Sequence, residues 1–215
     1  SEERGRVLER LCAGVREHLD ALRLPGARFS ARLTPAELGP SGADALALEF
    51  SANPGEAPRR LEDVASGGEA SRLLLAVRAA VAPGQGAGCV VLDEADQGVG
   101  GAAAEAVGRL IHELSCHRQV LCVTHSPQVA AFADAHLKVE KAQAKGRTRA
   151  SVTTLGDEAQ KLSELARMLS GAAVGPEARA AAAALVRSAH RGRPARRAAR
   201  GRSEVQARRR NAALP

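Results

Sequence analysis

The stretch Val90-Val91-Leu92-Asp93-Glu94 decides the fold class, because three consecutive apolar residues are followed directly by two carboxylates. A short apolar run of this kind is typical of a buried strand in a parallel sheet. In open α/β sheets, ligands bind beyond the carboxyl ends of the strands. A carboxylate at that position can hold Mg²⁺, and its neighbour can orient and deprotonate a water molecule. The alternative interpretation of the same residues is a strand that ends in an acidic turn.

The sequence on both sides of this strand predicts a βαβ unit. Helical spacing of apolar residues predicts helices over 69–81 and 102–114, and apolar runs predict buried strands over 89–92 and 120–123. A strand, a helix and a second strand in this order form a right-handed parallel unit. We therefore expect adjacent parallel strands, with Asp93, Glu94 and His125 at one rim of the sheet.

Flanking helices and a small antiparallel strand pair surround this core in the prediction. Alternating apolar residues over 29–33 and 46–50 predict the antiparallel pair. The remaining predicted elements are a helix over 7–22, short strands over 137–140 and 148–153 around a basic turn, a helix over 162–169 and an Ala-rich helix from about Pro176.

The start of the helix at 69 is a second candidate site. Ser66 and Glu69 have capping-box spacing, and Gly67 and Gly68 between them leave backbone N–H groups open to an anion. A plain capped helix is the alternative. The third candidate is His125, which follows the strand at 120–123 and comes just before a predicted helix start at Pro127. A structural histidine is the alternative there.

The net charge of +7 is concentrated at the C-terminal end of the chain. Residues 187–215 hold ten arginines and one glutamate, whereas residues 1–186 carry a net charge of −2. We divide the chain into a folded domain over 1–186 and an Arg-rich tail over 187–215, and we expect the tail after Gly192 to be disordered. Three Phe and no Tyr or Trp argue against an aromatic platform for single strands, so nucleic-acid contact is expected to be electrostatic.

The four cysteines show no C-x-x-C spacing, and we expect them to be reduced thiols in the core. No apolar run approaches the roughly 18 residues of a membrane helix, so we expect no membrane partner.

Together these motifs resemble the nucleotide-binding heads of the ABC ATPase superfamily, which carry a signature sequence, a Walker B strand with its glutamate and a switch histidine in this order. Five stretches of the sequence are more specifically similar to the C-terminal part of the RecN family of bacterial DNA repair proteins. They are 53–56, 64–69, 93–101, 123–134 and 164–169. The resemblance covers about residues 1–186. It implies an α/β fold, the C-terminal lobe of an SMC-type P-loop ATPase head. It also implies a cytoplasmic, nucleoid-associated protein of double-strand-break repair and recombination, whose long coiled coil precedes this segment.

Carried over by position, the resemblance makes Asp93 the Mg²⁺ ligand, Glu94 the general base and His125 the catalytic switch that contacts the γ-phosphate of ATP. It assigns ATP-binding roles to the signature and the following loop, namely Ser66, Gly67, Gly68, Glu69 and Asp96. This sequence departs from the family pattern at Ala70, Ala95 and Ser126, which leaves these roles intact.

The sequence contains no Gly-Lys-Ser or Gly-Lys-Thr, so the phosphate-cradling Walker A loop is missing. In the family, that loop belongs to an N-terminal segment. The expected partners are therefore the N-terminal Walker A half of the head, a second copy joined through ATP-sandwiched heads, and DNA bound without sequence preference. We expect the chain alone to hydrolyse ATP negligibly.

Two alternatives differ in class from this hypothesis. Asp93-Glu94-Ala95-Asp96 also matches the name-giving motif of DEAD-box helicases, but such a helicase needs Walker A upstream and a Ser-Ala-Thr element downstream. The second alternative is a non-catalytic module for dimerisation and DNA association. Turnover of ATP by the chain separates it from an ATPase.

Overall fold

An N-terminal helix and a long antiparallel hairpin open the chain in the computed structural model, which describes residues 1–40, 42–64, 68–82, 88–144, 147–171 and 173–192. Helix α1 spans Glu2–Ala21 and is followed by strands β1 (Arg28–Gly39), β2 (Gly42–Ser51) and β3 (Arg59–Arg60). These strands form one antiparallel sheet in the order β1-β2-β3, which confirms the predicted strand pair.

The β1–β2 hairpin is longer than predicted. Phe29 pairs with Phe50 at its base, where both rings are buried, and the pairing continues past Pro35 with a shift of register before Gly39. The alternation of apolar residues ends before Pro35, so a pattern based on burial could not detect the exposed outer half of the hairpin.

The predicted βαβ unit is confirmed. Helix α2 (Gly68–Val81) precedes strand β4 (Cys89–Asp93), and helix α3 (Gly101–Ser115) connects it to strand β5 (Gln119–Val123). Strands β4 and β5 pair in parallel over their whole length, from Cys89 opposite Gln119 to Asp93 opposite Val123.

Helices α1, α2 and α3 share one hydrophobic core with the covered face of the β4–β5 sheet. The residues with no exposed surface in this core are Val15, Leu19, Leu22, Leu73, Ala76, Ala104 and Val107. Gly108 allows α3 to approach the next segment closely, because a Cβ at this position would overlap the Phe132 ring.

A second, smaller cluster forms the C-terminal part of the fold. Its elements are α4 (Pro127–Ala130), the antiparallel strands β6 (His136–Ala144) and β7 (Arg147–Leu155), α5 (Glu158–Ser170) and α6 (Pro176–Gly192). Leu165, Ala166, Ala182 and Ala189 are buried within it. In the described part of the chain, no helix is both long and apolar enough to span a bilayer.

The domain boundary predicted at 187 lies inside α6, because the helix continues to Gly192 and buries Ala189 completely. The division into a folded domain over 1–186 and an Arg-rich tail over 187–215 stays a prediction. Packing of small alanine side chains against α5 carries the helix past that point. The predicted disorder after Gly192 concerns residues 193–215, which lie outside the described residues.

Candidate functional site

The two carboxylates stand at the carboxyl end of β4. Asp93 is the last residue of the strand and Glu94 is the first residue after it, and both are exposed. Glu94 has a φ of 48°, which is uncommon for a residue with a side chain. Its backbone N–H donates to the Val123 carbonyl oxygen at 3.0 Å. The chain is therefore held in a sharp turn where the second carboxylate leaves the sheet.

His125 lies at the same edge of the sheet as the carboxylates. Val123, the last residue of β5, is the register partner of Asp93, and His125 follows two residues later with an exposed side chain. The prediction that the βαβ unit brings Asp93, Glu94 and His125 to one rim is thus confirmed.

A pair of hydrogen bonds joins the loops that follow the two strands. The Thr124 hydroxyl donates to Asp96 Oδ2 at 2.5 Å and accepts the backbone N–H of Ser126 at 2.9 Å. Asp96 is only 1% exposed, and its Oδ1 has no hydrogen-bond partner among the described residues. Thr124 was not among the site residues predicted from the sequence. The signal available was a hydroxyl residue directly after a strand and before the candidate histidine.

The start of α2 touches the loop that follows β4. A Cβ added at Gly68 would overlap the Gln97 carbonyl oxygen, so a glycine is needed for this approach. Arg72 donates to the carbonyl oxygens of Gly68 and Leu22, at 3.1 and 3.2 Å, and ties the helix start to the end of α1. Glu69 is exposed. Ser66 and Gly67, and with them the predicted capping box, lie outside the described residues.

A cleft of about 440 Å³ lies beside the start of α2. Its far wall is the turn 53–56, in which Asn53 donates to Glu56 Oε1 at 2.8 Å and Ser51 donates to the backbone oxygens of both. Gly55, at φ 90°, completes this turn. The stretch 53–56 therefore shapes the surface next to the helix start.

One face of the β4–β5 sheet is bare. Val90 and Leu92 are buried on the covered face, whereas Val91, Leu121 and Val123 on the opposite face are 64%, 48% and 57% exposed. The prediction of two fully buried strands is wrong for this face. Parallel strands have continuous apolar runs because both sides of the sheet are normally covered, whereas the residues that the structure describes cover only one side here.

The cysteines do not form a metal or redox site in the described residues. All four are free, and Cys89 is exposed on the bare face, so the expectation of a core thiol is wrong for this residue. Burial, together with the charges of Asp96 and Asp93, raises the pKa of Cys122 to about 11. The Cys122 thiol therefore stays protonated at neutral pH and is a poor nucleophile or metal ligand.

The stretch 164–169 contains an ionic anchor. Glu164 is 7% exposed and accepts three hydrogen bonds from Arg167, the shortest at 2.6 Å, while Lys138 Nζ approaches Glu164 Oε2 at 3.5 Å. Hydrogen bonding from Arg167 lowers the pKa of Glu164. The anchor fastens β6 to α5, and it lies in a different part of the fold from the carboxylates of β4.

Comparison with known proteins gives one consistent result. The chain is 48% identical over 167 residues to the DNA repair protein RecN of Deinococcus radiodurans, a match that covers 77% of this chain and 28% of the relative. It is 39% identical over 202 residues to the Streptomyces coelicolor protein of the same name, covering 88% of this chain and 35% of the relative. The chain is also 38% identical over 173 residues to the protein of the same name from Halalkalibacterium halodurans. That match covers 78% of this chain and 30% of the relative. No protein-family profile matches the chain.

Two solved structures of Smc head domains are similar in fold. One, with a coiled coil and joint, derives from Pyrococcus yayanosii and aligns with a TM-score of 0.54 and 29% identity, over 74% of this chain and 29% of that chain. The other, from Pyrococcus furiosus, has an extended coiled coil and is bound to the C-terminal domain of ScpA. It aligns with a TM-score of 0.51 and 29% identity, over 75% of this chain and 39% of that chain.

The parallel βαβ unit, its carboxylate edge and these structural neighbours define a lobe of an SMC-type ATPase head. Within that class, the identities of 38–48% to several relatives show that the chain belongs to the RecN family. The chain spans about 30% of the length of the curated relatives that it matches.

Proposed function

We propose that the chain is the C-terminal segment of an ATP-hydrolysing head that acts in DNA double-strand-break repair and recombination. The observation that carries the proposal is the half-covered parallel sheet with Asp93, Glu94 and His125 at its edge. The relatives are named as DNA repair proteins, which supports the biological context.

The bare face supports a second lobe as the first partner. A two-stranded parallel sheet with one face open to solvent is unusual, because parallel sheets are found with both faces covered. The exposed valine and leucine side chains of this face would be buried by an N-terminal segment that supplies the Walker A loop. The complete site would then lie along the edge shared by the two segments.

The residues present fit a magnesium nucleotide. Asp93 and Glu94 offer hard oxygen ligands at the exposed end of a strand, and Mg²⁺ in nucleotide sites needs only one or two carboxylates beside the phosphates. Among the described residues, no group of three or more His, Cys, Asp or Glu side chains could hold a metal on its own. Mg²⁺ would neutralise the charge of the phosphates when bound.

Each residue of the edge has a distinct proposed task. Asp93 would hold Mg²⁺, and Glu94 would take the proton from the attacking water. His125 would contact the γ-phosphate from the neighbouring strand. The start of α2, with Gly68 and Glu69, would present backbone N–H groups to the nucleotide bound by a second copy. Heads would thus dimerise around ATP.

DNA is the proposed macromolecular partner. The few aromatic residues and the arginines of 187–215 favour electrostatic contact with phosphates, without sequence preference. Of this segment, residues 193–215 lie outside the described residues, so this part of the proposal is based on sequence.

The test is a reconstitution. ATP turnover is measured for the purified chain, for the N-terminal segment of the Deinococcus radiodurans relative, and for their mixture, with Glu113→Gln as a control at an exposed position of α3. We expect turnover only in the mixture and no effect of Glu113→Gln. Steady hydrolysis by the chain alone would contradict the division of the site between two segments. A mixture that assembles and retains DNA but does not hydrolyse ATP would favour the non-catalytic alternative.

A further inference from the structure

Two residues at the sheet edge, Asp96 and Thr124, join the loop that follows β4 to the loop that follows β5. Asp96 is 1% exposed, and its carboxylate accepts the Thr124 hydroxyl proton. The sequence resemblance gave Asp96 a role in ATP binding, but its side chain is directed towards the loop that follows β5.

The chemistry of the hydroxyl group explains what this contact does. A threonine hydroxyl has a single proton and two lone pairs. Since the proton is donated to Asp96, the lone pairs are free to accept the Ser126 N–H at 2.9 Å. Such local hydroxyl-to-backbone bonds hold a tight turn. Asp96 thus determines the direction of the hydroxyl, and the hydroxyl determines the turn 124–126.

His125 lies between the fixed points of this turn. On one side, the Val123 carbonyl oxygen accepts the Glu94 N–H, and on the other side the Ser126 N–H is bonded to Thr124. The loop after β5 is therefore attached to the loop after β4 through Val123 and Thr124, both before the histidine, and the bond from Ser126 to Thr124 closes the turn around it.

We infer that Asp96 and Thr124 are positioning residues for His125, coupling the loop that carries Glu94 to the loop that carries the histidine. The positional claim concerns this chain alone, while its effect on turnover rests on the proposed function. Asp96 acts on the histidine through Thr124.

The positional claim is tested by amide hydrogen exchange on the full chain, which needs no nucleotide. Thr124→Val removes the hydroxyl at similar volume and should lower the protection of the Ser126 amide by about tenfold or more. Thr124→Ser keeps the hydroxyl and should restore protection. Thr154→Val, an exposed Thr on β7, is the matched control and should change nothing at Ser126.

The exchange of the buried Val107 amide in α3 separates local from global opening. If Thr124→Val lowers the exchange protection of the Ser126 amide by no more than that of the Val107 amide, the inference is overturned. Unchanged protection of the Ser126 amide in Thr124→Val would also overturn it. Asp96→Ala should lower Ser126 protection in the same direction. A folded Asp96→Ala chain with unchanged Ser126 protection would remove Asp96 from the coupling.

In the reconstituted head, Thr124→Val should lower kcat by about tenfold and leave KM for ATP within about twofold, with rescue by Thr124→Ser. A rise in KM without a fall in kcat would contradict positioning of the histidine for turnover. If the mixture shows no turnover at all while the Ser126 result holds, the proposed function fails and the positional coupling stands.

Discussion

The two faces of the β4–β5 sheet differ in a way that indicates how much of a head this chain contains. On the covered face, Val90 and Leu92 pack into the core with α1, α2 and α3. On the bare face, Val91 and Leu121, which are register partners, remain exposed. Both faces have apolar side chains of similar type, so the difference is not one of composition. It reflects which neighbouring elements the described residues supply.

The edge where the two faces meet carries the largest expected effect. In the reconstituted head, Glu94→Gln should reduce ATP turnover by roughly 10²- to 10⁴-fold, because the amide keeps the shape of the side chain but cannot accept a proton from water. ATP binding and head dimerisation, measured by nucleotide titration and light scattering, should be retained. Full turnover in Glu94→Gln would show that another group activates the water.

The covered face should respond strongly in the isolated chain. Leu92→Ala should lower the free energy of unfolding by about 2–5 kcal/mol, since it leaves a cavity in the core. Val91→Ala on the bare face, one residue away, should change it by less than about 0.5 kcal/mol. Urea unfolding of both variants checks the contrast. Equal losses would mean that the bare face is covered in solution.

The bare face should instead respond in assembly. Leu121→Asp places a charge where an apolar neighbour is expected, and it should weaken binding of the N-terminal segment by about tenfold or more. Leu38→Asp, at the exposed outer part of β1, is the control and should bind as the parent chain does. Calorimetric titration gives both affinities, and equal affinities would place the second lobe elsewhere.

The Glu164 anchor lies apart from both faces and carries the smallest effect. Because the Arg167 hydrogen bonds lower the pKa of Glu164, the unfolded chain takes up the proton first as the pH falls. The stabilisation is present above the ordinary glutamate pKa of about 4.3 and is lost as the pH falls through the lower, folded value. Glu164→Gln should lower the free energy of unfolding by roughly 1 kcal/mol at neutral pH and make it depend less on pH. Unfolding curves between pH 3 and pH 7 test it, with exposed Glu9→Gln as the control.

The sequence predicted the βαβ unit and its rim because those features depend on local spacing. Apolar runs separated by one helix length fix two adjacent parallel strands, and Asp93, Glu94 and His125 follow from their ends. The antiparallel pair was recognised for the same reason, although only over its inner half. The order of the signature, the Walker B strand and the histidine along the chain then indicated the family.

Other features could not be read from spacing. The apolar runs do not show which face of a strand is covered, and the Asp96–Thr124 bond joins residues that are 28 positions apart in the sequence. The backbone at Glu94 is left-handed, but no glycine stands at this position, so the sequence contains no signal for the turn. The division into a folded domain over 1–186 and a tail over 187–215 stays a prediction, and α6 continues across position 187 to Gly192 because its alanines pack against α5.

We propose that the second lobe joins at the bare face. Cys89 is a direct probe of this face, because its side chain is exposed at the start of β4. Site-resolved alkylation, read by mass spectrometry, compares Cys89 with Cys12, which is half-buried on α1. On saturation with the N-terminal segment, we expect alkylation of Cys89 to slow by about tenfold or more while that of Cys12 stays the same. An unchanged rate at Cys89 would contradict the account.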